Sequence, residues 1–287
     1  MKLKSAIALL LVSAFLFLLS SCLGAEGPIA APEEGEVRVS FLDVGQADCA
    51  VIRTADRVIV VDTGHATSDG TELLTYLGRL GIKRIDLLVL THPHEDHIGG
   101  APSVLREYDV VECLMTDLLA DSALFRETVA ALKNEGCTVT RAHSDVVREY
   151  GDLSVEVLSP TNRFSSTVND AGIVLRVRYK EHTFLFMGDA SETVENELLY
   201  THREGLKADI LKVGHHGADS SSGEVFLSAV MPQYALISCA ANNEYGFPHM
   251  GVLARLTSVG AKVYRTDIDG TVVFRARDGE ISLIKED

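Results

Sequence analysis

The stretch Leu88-Val-Leu-Thr-His92-Pro-His94-Glu-Asp96-His97-Ile-Gly99-Gly100 constrains this chain more than any other. The apolar run Ile85–Leu90 within and before it predicts a strand covered on both faces. Loops that bear ligands gather where such strands end. In extended backbone His92 and His94 point to one side, because side chains alternate with period two. Asp96 and His97 come at the start of a helix expected over His97–Glu107, where the turning chain aims them at a second point. Gly99 and Gly100 permit close backbone approach. Two imidazoles around one ion, and a carboxylate with an imidazole around another, suit zinc or a similar divalent metal.

Around this loop, short strand-like runs alternate with helical ones. Val37–Leu42, Ala50–Arg53 and Val58–Val61 are β-rich and separated by turn residues, and Thr71–Leu80 has helical spacing ending at Gly81. The second half repeats the logic, with strands expected at Val155–Leu158, Ile173–Tyr179, Thr183–Phe186, Ile210–Val213, Ala235–Ser238 and Lys262–Tyr264. Helical stretches fall near Glu192–His202, Gly223–Ala229 and Gly251–Val259. Two such mixed halves predict an α/β (α+β) fold of two packed sheets with helices outside.

The N-terminus follows the pattern of an export signal: Lys2 and Lys4, then the apolar stretch Ala6–Leu19. It closes on Leu19-Ser-Ser-Cys22, which resembles a bacterial lipobox with Cys22 as the lipidated residue; a plain secretory signal is the alternative. The expected organisation is a lipoprotein signal over residues 1–21, a flexible tether over 22–36 and a hydrolase domain over 37–287. Such a protein would face outward, held at the membrane by lipid. The formal net charge is -15, and removal of the signal takes away two lysines and no acid. A surface this acidic repels polyanions on average, which argues against tight nucleic-acid binding without excluding phosphodiester chemistry. Trp is absent and aromatics make up 6%, weakening any base-stacking platform. Cys49, Cys113 and Cys239 sit in apolar runs as buried thiols would, Cys137 has no nearby partner, and no disulfide pairing can be assigned.

The motif His-x-His-x-Asp-His followed by two glycines resembles the metal-binding signature of the metallo-β-lactamase superfamily. From Val37 onward the chain resembles the hydrolase domain of ComEC-type DNA-uptake (competence) proteins. The matching stretches are Phe41-Leu-Asp-Val-Gly-Gln46, Val61-Asp62-Thr-Gly64, the His92 loop, Leu185-Phe-Met-Gly-Asp189, Leu211-Lys-Val-Gly-His215-His216-Gly217 and Asn243-Glu-Tyr-Gly-Phe-Pro-His249. The resemblance implies a four-layer αββα sandwich. It implies His92, His94, Asp96, His97 and His215 as metal ligands, with Asp189 bridging two ions. It places His216 toward substrate as an acid/base residue, although the roles of His215 and His216 could be exchanged. Asp62 would orient the motif histidines, since metal-bound imidazole needs an acceptor on its other nitrogen.

Departures from the wider superfamily matter. Its further histidine between the His92 loop and Asp189 has no convincing counterpart, His143 and His182 being candidates by type alone. Relatives of the ComEC type carry Asn there, which Val168-Asn169-Asp170 matches, so Asn169 or water would complete the first ion. Gly45-Gln-Ala-Asp48 and His215-His-Gly-Ala218 each differ by one residue from the family form. His249 is a candidate for the cleft rim. The expected activity is metal-dependent hydrolysis by a metal-bound hydroxide, with one or two divalent ions, zinc or manganese, and Asp96 and His216 as catalytic groups. The expected substrate is a small-molecule or nucleic-acid phosphodiester, contacted by residues such as Arg176, Arg178 and Lys212. Alternatives are a carbon ester, lactone, thioester or lactam in the same site, or metal or nucleic-acid binding without turnover.

Overall fold

The computed structural model describes residues 29–161 and 167–286. The expected signal, Cys22 and the first part of the tether lie outside the described residues. Strands β1 (Glu36–Phe41), β2 (Ala50–Arg53), β3 (Val58–Val61), β4 (Leu87–Leu90), β5 (Glu112–Met115) and β6 (Thr138–Arg141) belong to the first sheet. Strands β7 (Val147–Tyr150), β8 (Leu153–Ser159), β9 (Val174–Tyr179), β10 (His182–Phe186), β11 (Ile210–Lys212), β12 (Tyr234–Ile237) and β13 (Lys262–Arg265) form the second. The C-terminal hairpin β14 (Val272–Arg277) and β15 (Glu280–Ile284) returns to the first sheet, giving the order β15-β14-β1-β2-β3-β4-β5-β6. The second runs β13-β12-β11-β10-β9-β8-β7.

Strand parity builds the layers. Leu87 and Val89 enter a core between the sheets, whereas Leu88 and Leu90 join a second cluster beneath helices. That inner core also takes Phe41, Ile52, Val157, Leu175 and Phe186, with the Phe41 and Phe186 rings 5.6 Å apart across the sandwich. Burying each such side chain contributes roughly 1.5–3 kcal/mol. On the first sheet's outer face lie α1 (Thr71–Arg79), α2 (Glu95–Ile98), α3 (Ala101–Glu107) and α4 (Ala123–Glu135). On the second sheet's outer face Leu211, Val213 and Ile237 meet α5 (Glu192–Thr201), α6 (Glu224–Val230) and α7 (Met250–Ser258). A last short helix, α8 (Thr266–Asp269), follows β13. The result is the expected αββα arrangement.

Three boundaries differ from expectation. The tether over 22–36 does not stay free to its end: Ile29 is buried in the outer cluster, its N–H donates to Arg79 O at 3.0 Å, and Glu36 opens β1. The helix expected over His97–Glu107 is two helices, α2 and α3, parted by Gly99 and Gly100. The edge strand β7 went unrecognised because its side chains are exposed or half-buried and carry no apolar run. Among the described residues no helix is long and apolar enough to cross a membrane.

Candidate metal centre

The polar loops collect where parallel strands end. Asp62 follows β3 and the His92 loop follows β4, which pair in parallel. Asp189 follows β10 and His215-His216 follow β11, another parallel pair. One edge of each sheet therefore delivers half of the site.

Gly99 makes the first half possible. A Cβ there would stand 2.2 Å from both Ala66 N and His65 C, while the Gly99 N–H donates to Gly64 O at 3.0 Å. Only glycine lets α2 sit this close to the turn after β3. His97 is thereby buried and its Nδ1 lies 2.8 Å from Asp62 Oδ2. Asp62 is itself fixed, its Oδ1 accepting from Thr91 N at 2.8 Å and its Oδ2 from Thr91 Oγ1 at 2.7 Å. Burial pushes the Asp62 carboxyl up, against the opposing pull of His97. Asp62 thus occupies the place expected of a residue that orients a motif histidine.

Asp189 faces both groups of donors with different oxygens. Its Oδ1 lies 3.4 Å from His97 Nε2 and 3.6 Å from His216 Nε2. Its Oδ2 lies 3.6 Å from His92 Nε2, which is 3.0 Å from His94 Nδ1. Asp96 Oδ2 closes the first group at 3.3 Å from His216 Nε2. Two sets result, Asp96-His97-Asp189-His216 and His92-His94-Asp189, each with donor atoms within 4.8 Å of one another. Burial disfavours charge on Asp189, yet the surrounding imidazoles hold its carboxyl well below the usual range. Burial likewise opposes a proton on His97, but Asp189, Asp62 and Asp96 outweigh it and raise that imidazole well above its ordinary value. At His92 burial together with neighbouring His97 outweighs the opposing pull of Asp189 and drives the imidazole well below its ordinary value.

These residues fit a divalent cation. His97 Nε2, His216 Nε2 and Asp189 Oδ1 are buried and converge, but none has a hydrogen-bond partner among the described residues. Buried polar atoms are ordinarily paired, so such convergence marks a position for a cation.

The two histidines after β11 sit opposite to the expected assignment. Both have left-handed backbone, φ 48° at His215 and 53° at His216, so strand alternation no longer decides their direction. His216, expected to face substrate, is buried; its Nδ1 donates to Ser238 O at 2.9 Å, which aims Nε2 into the cluster. His215, expected as the ligand, is half-buried at the cleft, with Nε2 3.8 Å from Asp189 Oδ2 and 3.4 Å from Asn169 Nδ2. Asn169 therefore lines the cleft beside His215. His143 is exposed near Asp145, and His182 lies at the start of β10 near Asp209; neither reaches the cleft. His249 does not line the cleft either, because its Nδ1 accepts the Asp219 N–H at 3.0 Å behind Phe247.

The expected cationic contacts are also absent from the cleft. Lys212 is buried, its Nζ 2.8 Å from Asp48 Oδ1 and donating to Val213 O. Arg176 and Arg178 pair with Glu156 on the far part of β8. Instead the cleft of about 410 Å³ over the cluster is walled by Gln46, His65, Glu95, Glu244, Tyr245 and Phe247. Gln46 follows the Gly45 turn, with φ 76°, and Glu95, Glu244, Tyr245 and Phe247 lie in matching stretches that gave them no role.

Residues 42–241 match the family model described as the metallo-beta-lactamase superfamily. The chain is 30% identical over 281 residues to ComE operon protein 3 of Bacillus subtilis, covering 92% of this chain and 35% of that protein. It is 31% identical over 247 residues to competence protein ComA of Neisseria gonorrhoeae, covering 86% and 33%. The chain thus spans about a third of the length of these ComEC-type relatives. Among solved structures, the metallo-beta-lactamase fold protein YhfI from Bacillus subtilis superposes with a TM-score of 0.55 at 11% identity, covering 87% of this chain and 100% of the other. By family and by fold, this chain is a metal-dependent hydrolase of the metallo-beta-lactamase superfamily.

Proposed function

We propose that the chain is an exported phosphodiesterase whose nucleophile is a water activated by one or two divalent ions. The observation that carries this is Asp189, which turns one carboxylate oxygen to each of two His/Asp sets. His92, His94 and Asp189 would hold one ion, with Asn169 or water beside it; Asp96, His97, His216 and Asp189 would hold the other. Zinc or manganese bound there lowers the pKa of water toward neutrality and stabilises charge on the phosphoryl oxygens. Asp62 keeps the His97 proton on Nδ1 and leaves Nε2 free as a donor atom. Ser238 O does the same for His216. His215 takes the substrate-facing position, where burial lowers its pKa and keeps it neutral to hydrogen-bond a leaving oxygen.

The resemblance to ComEC-type DNA-uptake proteins, the type to which the competence relatives belong, favours a phosphodiester in nucleic acid over a β-lactam. One observation favours a second reading, hydrolysis of a less charged carbon ester, lactone or thioester. Among the described residues lining the cleft there is no Lys or Arg, while Glu95, Asp96, Asp189 and Glu244 are all acidic. Turnover of bis-nitrophenyl phosphate beside a lactam, lactone and thioester panel separates them, with Asp189→Ala and His94→Ala as controls. Absence of phosphodiesterase turnover by metal-replete protein sinks the first reading, and silence across the panel favours binding without turnover. The sequence Leu19-Ser-Ser-Cys22 supports lipid anchoring outside the cytoplasm. Fatty-acid labelling lost in a Cys22→Ser variant tests it.

A further inference from the structure

The wall of the cleft formed after β12 carries an aromatic shelf. Tyr245 is 57% exposed, and its ring stacks on that of Phe247 with centroids 5.3 Å apart and planes 20° from parallel. The outer face of the Tyr245 ring is left open over a polar, acidic cleft. The loop beneath is braced. Asn243 Nδ2 donates to Ala240 O and Phe247 O, and its Oδ1 accepts the Phe247 N–H at 2.9 Å. The Phe247 ring is held edge-on by His215 at 5.7 Å and by His249 at 5.1 Å. A shelf fixed before its ligand arrives loses little conformational freedom on binding. Beside it, Gln46 Oε1 accepts the Ala240 N–H at 3.1 Å, while Gln46 Nε2 is buried with no hydrogen-bond partner. That leaves an unused donor in the same wall.

The charges around the shelf narrow the ligand further. A duplex held by its backbone needs several cationic contacts. The described lining residues supply none, and four carboxylates line the cleft instead. Among the described residues, the groups placed to supply affinity are the metal cluster, for one phosphate, and the planar shelf beside it. Resting on the phosphodiester reading above, we infer that the substrate is an unpaired nucleotide. Its base lies on the Tyr245–Phe247 shelf, and the adjoining phosphate reaches the Asp189 cluster. A paired base is already stacked within its helix and has no free face to offer.

The test compares binding of a phosphorothioate-linked thymidine dinucleotide with that of the same diester lacking one base, using metal-loaded protein and calorimetric titration. Loss of one base–aromatic stack weakens binding about 5- to 100-fold. Wild type and Tyr245→Phe should prefer the base-bearing ligand by about that factor, and Tyr245→Ala should abolish the preference. Equal affinity for the two ligands in wild type, or a preference that survives Tyr245→Ala, overturns the inference. So does a duplex that binds as tightly as the single strand with a steep salt dependence. Cleavage of the ordinary phosphodiester-linked dinucleotide is scored separately. Its failure removes the catalytic reading, while the base preference alone decides the shelf.

Discussion

Replacing Asp62 by Asn tests the site through one proton. Asp62 is 1% exposed, and an amide of the same shape fits its place. Oδ1 must remain a carbonyl oxygen, since the Thr91 N–H needs an acceptor there. The amide nitrogen therefore replaces Oδ2, 2.8 Å from His97 Nδ1, and donates to it. His97 must then carry its proton on Nε2, the atom 3.4 Å from Asp189 Oδ1 that has to be bare to hold a cation. Regaining the right tautomer sets two N–H groups against each other and forfeits a hydrogen bond of roughly 1.5–3 kcal/mol. At 1.4 kcal/mol per decade, divalent-metal affinity should fall about 10- to 100-fold, in the range found when other orienting partners are lost. Competition with a chromophoric chelator measures it, and circular dichroism checks the fold. Thr91→Val is the comparison, because it removes a neighbouring hydrogen bond without reversing the tautomer. Metal affinity within twofold of wild type for Asp62→Asn, or an equal loss in Thr91→Val, would refute the reasoning.

Three further outcomes follow from the geometry. His216→Ala should lose the ion held with Asp96, His97 and Asp189, whereas His215→Ala should retain it; metal analysis after dialysis giving the reverse order would restore the original assignment. Gly99→Ala forces a Cβ to within 2.2 Å of backbone that cannot move aside, so denaturant unfolding should show a loss of roughly 3 kcal/mol or more. Glu195 is buried in α5, and burial pushes its carboxyl up to about 7, although the Gly223 and Ser222 N–H groups oppose this. A folded value above the ordinary 4.5 means that this group's contribution is fully present below that value and lost as pH rises through about 7. The loss amounts to roughly 3 kcal/mol. In chelated protein, the difference in Tm between wild type and Glu195→Gln should therefore change across that window, and a difference independent of pH would contradict it.

Much of this was legible because periodicity and strand ends are local properties. The apolar run Ile85–Leu90 contains the strand Leu87–Leu90, although Ile85 falls in a separate short strand, and the glycine pair marked a close approach that the structure contains. The His215–His216 order was not legible, because two consecutive left-handed residues interrupt the alternation on which direction depends. Tyr245 and Phe247 lay in a matching stretch from which only His249 was picked, and His65 was given no role, for a related reason: a loop's own fold, not its composition, turns side chains into a cleft. Few aromatics in the whole chain said nothing about where two of them would meet. Lys212 had a signal that composition obscured. It shares parity with Ile210, an inner-core residue, while Leu211 and Val213 face the helices. A lysine of that parity at the end of a strand points between the sheets, toward Asp48.

That buried pair bears on how the centre is assembled. Asp48 precedes β2 in the first sheet, and Lys212 ends β11 in the second, so their 2.8 Å contact joins the two halves of the sandwich at the edge that carries the site. Removing two charges from water rarely gives a net gain in stability, and the better-supported use of such a pair is to fix register. Here the register that matters is between Asp62, His92, His94, Asp96 and His97 on one side and Asp189 and His216 on the other. The two donor sets that meet at Asp189 need both sheets, since Asp189 comes from the second sheet and His92, His94, Asp96 and His97 from the first. The His216 Nδ1 lies 3.4 Å from Asp48 Oδ1, so the ion pair also borders the histidine it helps to place. The two donor sets at Asp189 form only because the opposite sheet arrives in register, and the Asp48–Lys212 contact is a buried polar link between the sheets beside that point.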